Sequence, residues 1–448
     1  MLTLTDKMGA KMNRAFAVLA LLVTIAVSPQ VSRAQGETAV PFLLIPPSAE
    51  GNGMGGIVNA TETDRPMGIL ANPGLLGISS LDHFFLGGLY PSSTTWLPGI
   101  PGAGATYSAN AFSAGLNLNR FADLPLGLSV GFGYSHVSLD YGLFAETGPN
   151  GPDVIGYYNP EEHSNNWSVG IGADYYLKLG LGYTHKSVTS SLAPFNVQNQ
   201  SRQGVAEFST YDLGAVAQLP ILRIVDDILG SALIIGPDIH PTLDVTVGYA
   251  RRNLGDDFVA YIDPAQADPL PRTSTLGISY KVGLSLPIQA VSLEAVSFTL
   301  AREADDLLVQ RFPAPVDSAG NTTGPPPNPK YSDGGGAIQF YNNVILGEGN
   351  GHITLRKGWQ VGIGEFFLIR GGSVHGRGVA YTTSGYGFRL GAIFKLFEMV
   401  SPLAAATRIG GFILSHIDAG FDHSSITTDD PSDPNNGLTF NGLSLTIK

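Results

Sequence analysis

Residues 167–184, WSVGIGADYYLKLGLGYT, carry an apolar residue at every odd-numbered position. The residues between them are mostly glycine, serine, threonine and charged residues. A period of two predicts β-strand, because successive side chains of a strand point to opposite faces of the sheet. Strands of water-soluble proteins are usually about 5–6 residues long. The length of this alternation therefore needs an explanation, as does the glycine on its second face.

The composition excludes several classes of protein. Of 448 residues, 43% are hydrophobic and only 14% are charged, against roughly 25% charged residues in ordinary soluble domains. The 57 glycines are nearly twice the average share of about 7%. These values fit neither a disordered chain nor a typical cytosolic enzyme. The chain has no cysteine, which excludes disulfides and thiolate metal sites.

The first 34 residues have the layout of a secretory signal peptide. A basic segment at residues 7–14 precedes the apolar run AFAVLALLVTIAV, and Ser32-Arg33-Ala34 offers a small-x-small cleavage site. A membrane anchor, the alternative, needs about 20 apolar residues. Cleavage removes four basic residues and one acidic residue, which changes the formal charge from −12 to −15. Such a charge argues against a nucleic-acid partner.

The alternation returns along the rest of the chain, and three features of it favour a membrane barrel. The segments reach ten or more residues, near the roughly 9–11 that a tilted strand needs to cross a bilayer. Their second face suits a wet or plugged lumen, and tyrosine and tryptophan lie near their ends, as in aromatic girdles. A soluble all-β sandwich or barrel is the alternative. The clearest segments are residues 126–135, 167–184, 243–250 and 276–286.

A transmembrane sheet must close, because every backbone group in hydrocarbon has to be paired. We therefore predict an all-β, antiparallel transmembrane barrel. We expect Ile171→Arg or Leu181→Arg to cost roughly 2–4 kcal/mol, and Gly172→Ser on the lumen face to be mild. The residues predicted to face lipid are Trp167, Val169, Ile171, Leu179 and Leu181.

Two local features break or test the pattern. The odd-even phase of residues 167–184 never changes, so either one strand continues beyond the membrane or a three-residue loop, 174–176 or 176–178, joins two strands. Residues 221–233 place Leu222, Val225, Leu229 and Ala232 at helical spacing, with Asp226 and Asp227 on the other side. They predict a short amphipathic helix at one end of the barrel, with an irregular strand-turn as the alternative.

Residues 42–79, FLLIPPSAEGNGMGGIVNATETDRPMGILANPGLLGIS, resemble the N-terminal signature of the PorV/PorQ family, relatives of the FadL-type outer-membrane transporters. The matching residues are the Phe-Leu-Leu-Ile run from Phe42, then Gly53-Met54-Gly55, then Asn72-Pro73. Gly74 and Leu75 replace the alanine and glycine that usually follow in the family. Segments 268–284 and 358–391 extend the resemblance over nearly the whole mature chain.

The resemblance implies a FadL-like barrel of about 14 strands, formed by residues 81–448, with residues 35–80 as a plug. A barrel of that width has a lumen that side chains cannot fill. The glycines of the motif would permit close approach to the inner wall, and Asn72-Pro73 would form a turn into the first strand. We favour a structural role over ligand contact for Gly53, Met54, Gly55, Gly56, Asn72 and Pro73.

The resemblance also implies a location and a role. The chain would lie in the outer membrane of a Gram-negative bacterium and act in type IX secretion, as receptor and shuttle for the C-terminal signal domains of exported proteins. Its partners would be outer-membrane lipid, those domains, and components of the translocon and attachment machinery, contacted through loops 142–166 and 311–336. The alternative is a FadL-like transporter of long-chain hydrophobic molecules, and a scaffold barrel is a third possibility. No catalytic or metal-ligand pattern occurs, so we expect no enzyme and no cofactor.

Overall fold

The computed structural model describes most of the chain from residue 38 to residue 447. The predicted signal peptide, residues 1–34, lies outside the described residues, as does most of the connection after Arg389. Within 38–447 the residues not described are 62–64, 82–84, 91–92, 99–103, 123–125, 148–150, 152, 197–202, 237, 257, 263–266, 289–290, 311, 313–314, 316, 318–322, 325–326, 333–335, 351 and 394–415.

Fourteen antiparallel strands form a closed barrel in the described part of the chain. The first strand pairs with both the second and the last, which closes the sheet. The predicted all-β barrel and its strand number are thereby confirmed. The strands are β1 (Phe85–Tyr90), β2 (Thr106–Asn117), β3 (Gly127–Asp140), β4 (Glu161–Asp174), β5 (Lys178–Asn196), β6 (Gln203–Pro220), β7 (His240–Gly255), β8 (Thr273–Ile288), β9 (Val291–Leu307), β10 (Ile353–Ile363), β11 (Phe367–Gly376), β12 (Val379–Arg389), β13 (Ile417–Thr427) and β14 (Thr439–Ile447).

The two ends of the barrel differ in their connections. At one end, Asp174 pairs with Lys178 and the three residues 175–177 join β4 to β5. The predicted parity-preserving loop is therefore present, one residue away from either predicted position. At the other end, β7–β8 and β9–β10 are joined by the long connections 256–272 and 308–352. The connections after β6 and after β12 are also long and lie at the first end, but the longest connection, 308–352, lies at the second. In barrels of this type the long loops face outward, so we call the first end the periplasmic end and the second the outer end.

Helices are few and short. Residues 38–81 contain a 3₁₀ turn, Pro41–Leu44, and the helices α1 (Ala49–Gly53), α2 (Arg65–Gly68) and α3 (Gly74–Ser79). Helix α4 (Ile221–Leu229) follows β6 directly at the periplasmic end. The predicted amphipathic helix is thus present, although it ends at Leu229 because Gly230 adopts a left-handed conformation, φ 71°. No described helix is both long enough and apolar enough to span a bilayer.

An apolar belt surrounds the periplasmic half of the barrel. The five residues predicted to face lipid all lie on the outer face and are between 37% and 60% exposed. Aromatic side chains border this belt on its outer side: the rings of Tyr134 and Trp167 lie 4.6 Å apart, and those of Tyr183 and Tyr211 stack at 5.9 Å. A closed ladder with such a belt satisfies both requirements of a membrane-spanning sheet.

Candidate functional site

The described residues of the range 38–81, which we call the lumen segment, lie inside the barrel, and most of their side chains are buried. They contact the wall at positions where it has no side chain. At each of these positions a Cβ atom would approach the lumen segment to 3.0 Å or closer, so the glycine on the inner face allows backbone to pack against backbone. These glycines include Gly131, Gly170, Gly172, Gly180, Gly182, Gly214, Gly248, Gly358, Gly372 and Gly385.

The expectation that Gly172→Ser is mild is wrong on this geometry. The serine Cβ would meet the carbonyl oxygen of Gly77 in α3. The prediction treated the inner face as open lumen, whereas the backbone of α3 lies directly against it. Overpacking of this kind forces the backbone to move.

The glycine motif at residues 53–56 attaches the lumen segment to the wall. Gly55 has φ 78° and Gly56 has φ 77°, conformations that favour glycine. The Gly55 amide donates to Oγ1 of Thr383 at 2.9 Å, and its carbonyl accepts from Nη1 of Arg356 at 3.0 Å. Met54 is buried in the cluster that also contains Ile57 and Ala301, and Gly53 lies against Gly385.

Asn72 forms a buried amide pair with Asn59. Its Nδ2 donates to Oδ1 of Asn59 at 2.7 Å and reaches the Ala215 carbonyl at 3.1 Å, while Nδ2 of Asn59 donates to the Gly248 carbonyl at 2.6 Å. Both side chains thus bond to wall carbonyls. Pro73 is the residue before α3, so Asn72-Pro73 leads into a helix and not, as predicted, into the first strand.

A charge-balanced ionic cluster joins α1 to the wall. Glu50 pairs with Arg370 at 2.8 Å and with Arg389 at 3.1 Å, and both arginines pair with Asp422, at 2.6 and 3.0 Å. The Arg370 side chain is fully buried. Sequence reasoning missed this cluster; its only signal is an arginine at an inward position of a strand whose outer face is apolar.

The inner wall changes character toward the outer end. In β3 the outward residues up to Tyr134 are apolar, whereas the next outward residue is His136 and the buried inward residues are Val137 and Leu139. Above the aromatic level β3 is therefore polar outside and apolar inside; it contributes to an apolar part of the interior, which lies beside charged inward residues such as Glu162 and Lys186. We call this apolar part the apolar vestibule; its members include Tyr107, Ala109, Val137, Leu139, Val188, Ala206, Leu270, Ile426, Leu438 and Phe440.

The two faces of the sheet have different surroundings. The outer face meets hydrocarbon below the aromatic residues, and the inner face meets the lumen segment. A closed antiparallel barrel with an apolar belt bordered by aromatic residues is the architecture of the bacterial outer membrane. The protein is an outer-membrane β-barrel.

Residues 40–45 of the lumen segment fill the apolar vestibule. Val40 and Phe42 are each only 1% exposed there. Few polar contacts hold this stretch: the amide of Ala39 donates to the Pro269 carbonyl at 2.9 Å, and the Tyr107 hydroxyl donates to the Ile45 carbonyl at 3.2 Å. Val40 has φ 45°, which is unfavourable for a β-branched residue.

A cavity of about 40 Å³ remains between residues 42–48 and the wall. This volume accommodates a few water molecules at most. Its far side is charged, and the charges are paired: Arg356 lies 2.5 Å from Asp305, and Lys186 lies 2.7 Å from Asp212. A solute larger than this volume can enter here only if residues 42–48 move.

The two loops predicted to contact cargo differ in how far they are described. In loop 142–166 a hairpin, Phe144–Thr147 with Val154–Tyr158, projects above the barrel before β4 begins. Burial and the neighbouring carboxylate of Glu162 raise the pKa of Tyr141 at the base of this hairpin. Much of loop 311–336 lies outside the described residues, and its start is tied down by pairing of Val309–Gln310 with Lys330–Tyr331.

No protein-family model and no curated protein matches the chain. Among solved structures it is similar to the toluene transporter TbuX of Ralstonia pickettii, with 13% identity over 89% of this chain and 96% of that one, at a TM-score of 0.40. A FadL homologue of Pseudomonas aeruginosa gives 10% identity, coverage of 90% and 98%, and a TM-score of 0.36. The toluene transporter TodX of Pseudomonas putida gives 10% identity over 93% of this chain and 98% of that one, at a TM-score of 0.35. Likenesses at these values do not assign a function, and the PorV/PorQ family is not confirmed.

Proposed function

We propose that this protein carries small hydrophobic molecules across the outer membrane, in the manner of a FadL-like transporter, and that the lumen segment is its plug. The observation that carries the proposal is the apolar vestibule. A water-filled porin has a polar interior. Here one side of the interior at the outer end is apolar, so a hydrophobic solute loses little by leaving lipid or detergent to contact it.

The lumen segment has two parts that differ in attachment. From Glu50 to Gly77 it is held by the ionic cluster, by the amide pair and by backbone contacts with wall glycines. Residues 40–45 are held mainly by apolar contacts and include one strained residue, Val40. A hydrophobic solute replaces apolar contacts with apolar contacts, so residues 40–45 are the part that it would displace.

The type IX role implied by the PorV/PorQ resemblance finds no support in the comparisons. That role requires recognition of a folded domain by the outer loops, and nothing in the apolar vestibule serves it. The two roles predict different partners for the purified protein. They can therefore be separated by one set of measurements.

Uptake by whole cells tests the proposal. The protein is expressed in a Gram-negative host that lacks its own hydrophobic uptake channel, and entry of labelled toluene and of a labelled long-chain fatty acid is measured. We expect either solute to enter faster than with the empty vector, and Phe42→Ala to increase the rate further because it empties part of the vestibule. Phe121→Ala, which removes a 75% exposed ring, is the control and leaves uptake unchanged.

Entry of a small sugar serves as the second measurement. If sugar enters as readily as the hydrophobic solutes, the barrel is a general pore and the proposal fails. If neither hydrophobic solute enters, and exported proteins bearing C-terminal signal domains co-purify with the barrel, the secretion role replaces it.

A further inference from the structure

A segment of the long β9–β10 connection folds back over the outside of the barrel wall. We call residues 336–350 the outer flap; it contains a π-helical turn, Phe340–Leu346, and ends in a turn at Gly347, φ 72°. The Ala337 amide donates to Oδ2 of Asp306 at 2.5 Å. The flap buries outward side chains of β8, β9 and β10 that would otherwise be exposed, together with its own apolar residues: Leu276, Ile278, Ala304, Ala337, Ile338, Val344, Ile353 and Leu355.

A groove of about 520 Å³ lies between the outer flap and the wall. This volume is within the usual range of ligand pockets, roughly 300–1,000 Å³. The lower part of the groove is apolar and aromatic, lined by Tyr280, Leu300 and Trp359. Its upper part contains the cations Arg302 and Lys357.

The two cations converge under the flap. Nζ of Lys357 and Nη1 of Arg302 lie 3.4 and 3.5 Å from the point where a Cβ of Gly347 would be. Arg302 donates one hydrogen bond to the Ile345 carbonyl, which leaves further guanidinium donors available. Of the acidic side chains that the structure describes, none lies within 4.0 Å of either cation. The groove therefore presents two positive charges without an internal counterion.

The position of these cations relative to the membrane is fixed by the belt. Arg302 follows Leu300 by two residues on the outer face of β9, and Lys357 stands two residues above Trp359 on β10. Two residues of strand correspond to about 7 Å. The cations thus stand one side-chain step above the last apolar residues that the outer flap leaves exposed on these two strands, at the level of the headgroups of the outer leaflet.

We infer that the groove binds a phosphorylated lipid of the outer leaflet, with its phosphate between Arg302 and Lys357 and an acyl chain along Leu300 and Trp359. The guanidinium fork matches the geometry of a phosphate, and the lysine adds a second charge. The apolar lower part of the groove offers contacts to an acyl chain, which a free phosphate lacks. The occupant with both parts is the phosphorylated glycolipid anchor of the outer leaflet, of the lipid A type.

Native mass spectrometry of the full-length protein tests this inference. Wild-type protein in detergent is titrated with lipid A, with lipid A from which the phosphates have been removed, and with inorganic phosphate. We expect one lipid A to be retained and the dephosphorylated form to bind at least about tenfold more weakly, as loss of a charge-assisted hydrogen bond predicts. This comparison needs no variant and so does not depend on the folding of one.

The double variant Arg302→Gln/Lys357→Gln is expected to lose lipid A binding by about tenfold or more. Lys178→Gln/Arg223→Gln removes the same charge at the periplasmic end and is the matched control, with unchanged binding. Equal retention of both forms of lipid A, or unchanged binding by the double variant, overturns the inference. Equal competition by millimolar inorganic phosphate shows an anion site without lipid recognition, and this overturns it too.

Discussion

The carbonyl oxygen of Gly77, in α3, lies within 3.0 Å of the position that a Cβ of residue 172, in β4, would take. This contact ties the sequence of a wall strand to the chain path inside the barrel. It also explains why the inner face of the strand is glycine where lumen water would tolerate serine. The strand cannot be understood without the segment that it encloses.

Gly172→Ser should destabilise the barrel by about 1–3 kcal/mol, the usual range for overpacking. Gly88→Ala is the matched control, because a Cβ there meets nothing within 4 Å. The urea midpoint of each variant can be followed by the fluorescence of the three tryptophans. Equal midpoints for the two variants would show that α3 does not lie against β4.

Ile171→Arg and Leu181→Arg should each cost about 2–4 kcal/mol, because they place a cation on the lipid face near the bilayer midplane. Ser187→Arg is the control on the same face of β5, above the aromatic level, and should be nearly neutral. Unfolding in lipid vesicles by urea measures all three. A cost for Ser187→Arg as large as for Leu181→Arg would place the membrane boundary elsewhere.

Glu50→Gln should lower the free energy of unfolding by about 3–5 kcal/mol, because it leaves the buried Arg370 and the mostly buried Arg389 opposite one carboxylate. Adding Arg389→Gln restores the charge balance and should recover part of the loss. Glu207→Gln, on the polar outer face of β6, is the control. Loss of the Glu50 ion pairs should also raise ion conductance across planar bilayers, because they attach the lumen segment to the wall. A conductance of Glu50→Gln equal to that of the wild type would contradict a role for the ionic cluster in closing the lumen.

Asn72→Asp keeps the shape of the side chain but replaces the donating amide with a carboxylate oxygen facing the Ala215 carbonyl and Oδ1 of Asn59. We expect the free energy of unfolding to fall by about 2–4 kcal/mol, because the buried hydrogen-bond acceptors of Asn72 lose their donor. Protease sensitivity of the N-terminal region should rise accordingly. Asn328→Asp, at an exposed loop position, should change neither quantity.

The barrel was predictable from the sequence because alternation is local. Trp167, Val169 and Ile171 face outward as their spacing predicts, and the three-residue loop at 175–177 keeps the phase. The inversion above Tyr134 was not predicted. The two faces exchange polarity there while the alternation continues, so Val137 and Leu139 look like a continuing strand with the same outward face.

The internal contacts were not predictable for a different reason. Glu50 and Arg370 are 320 residues apart, and no local pattern pairs them. The outer flap was missed because its neighbours in sequence are rich in proline and glycine, so that region was interpreted as an irregular loop. Its burial depends on outward residues of β8 and β10, which only the folded barrel brings together.

The enclosed N-terminal stretch has a consequence for biogenesis. It precedes every strand that the structure describes, yet it contacts the wall as far along as β14. We therefore expect the nascent sheet to curve around it before β14 pairs with β1. If the barrel closed before this segment was enclosed, the segment would be left outside the lumen. The lumen segment thus acts as an internal template for closure of the barrel. Deleting this segment should impair insertion of the barrel into the membrane before any effect on permeability is seen.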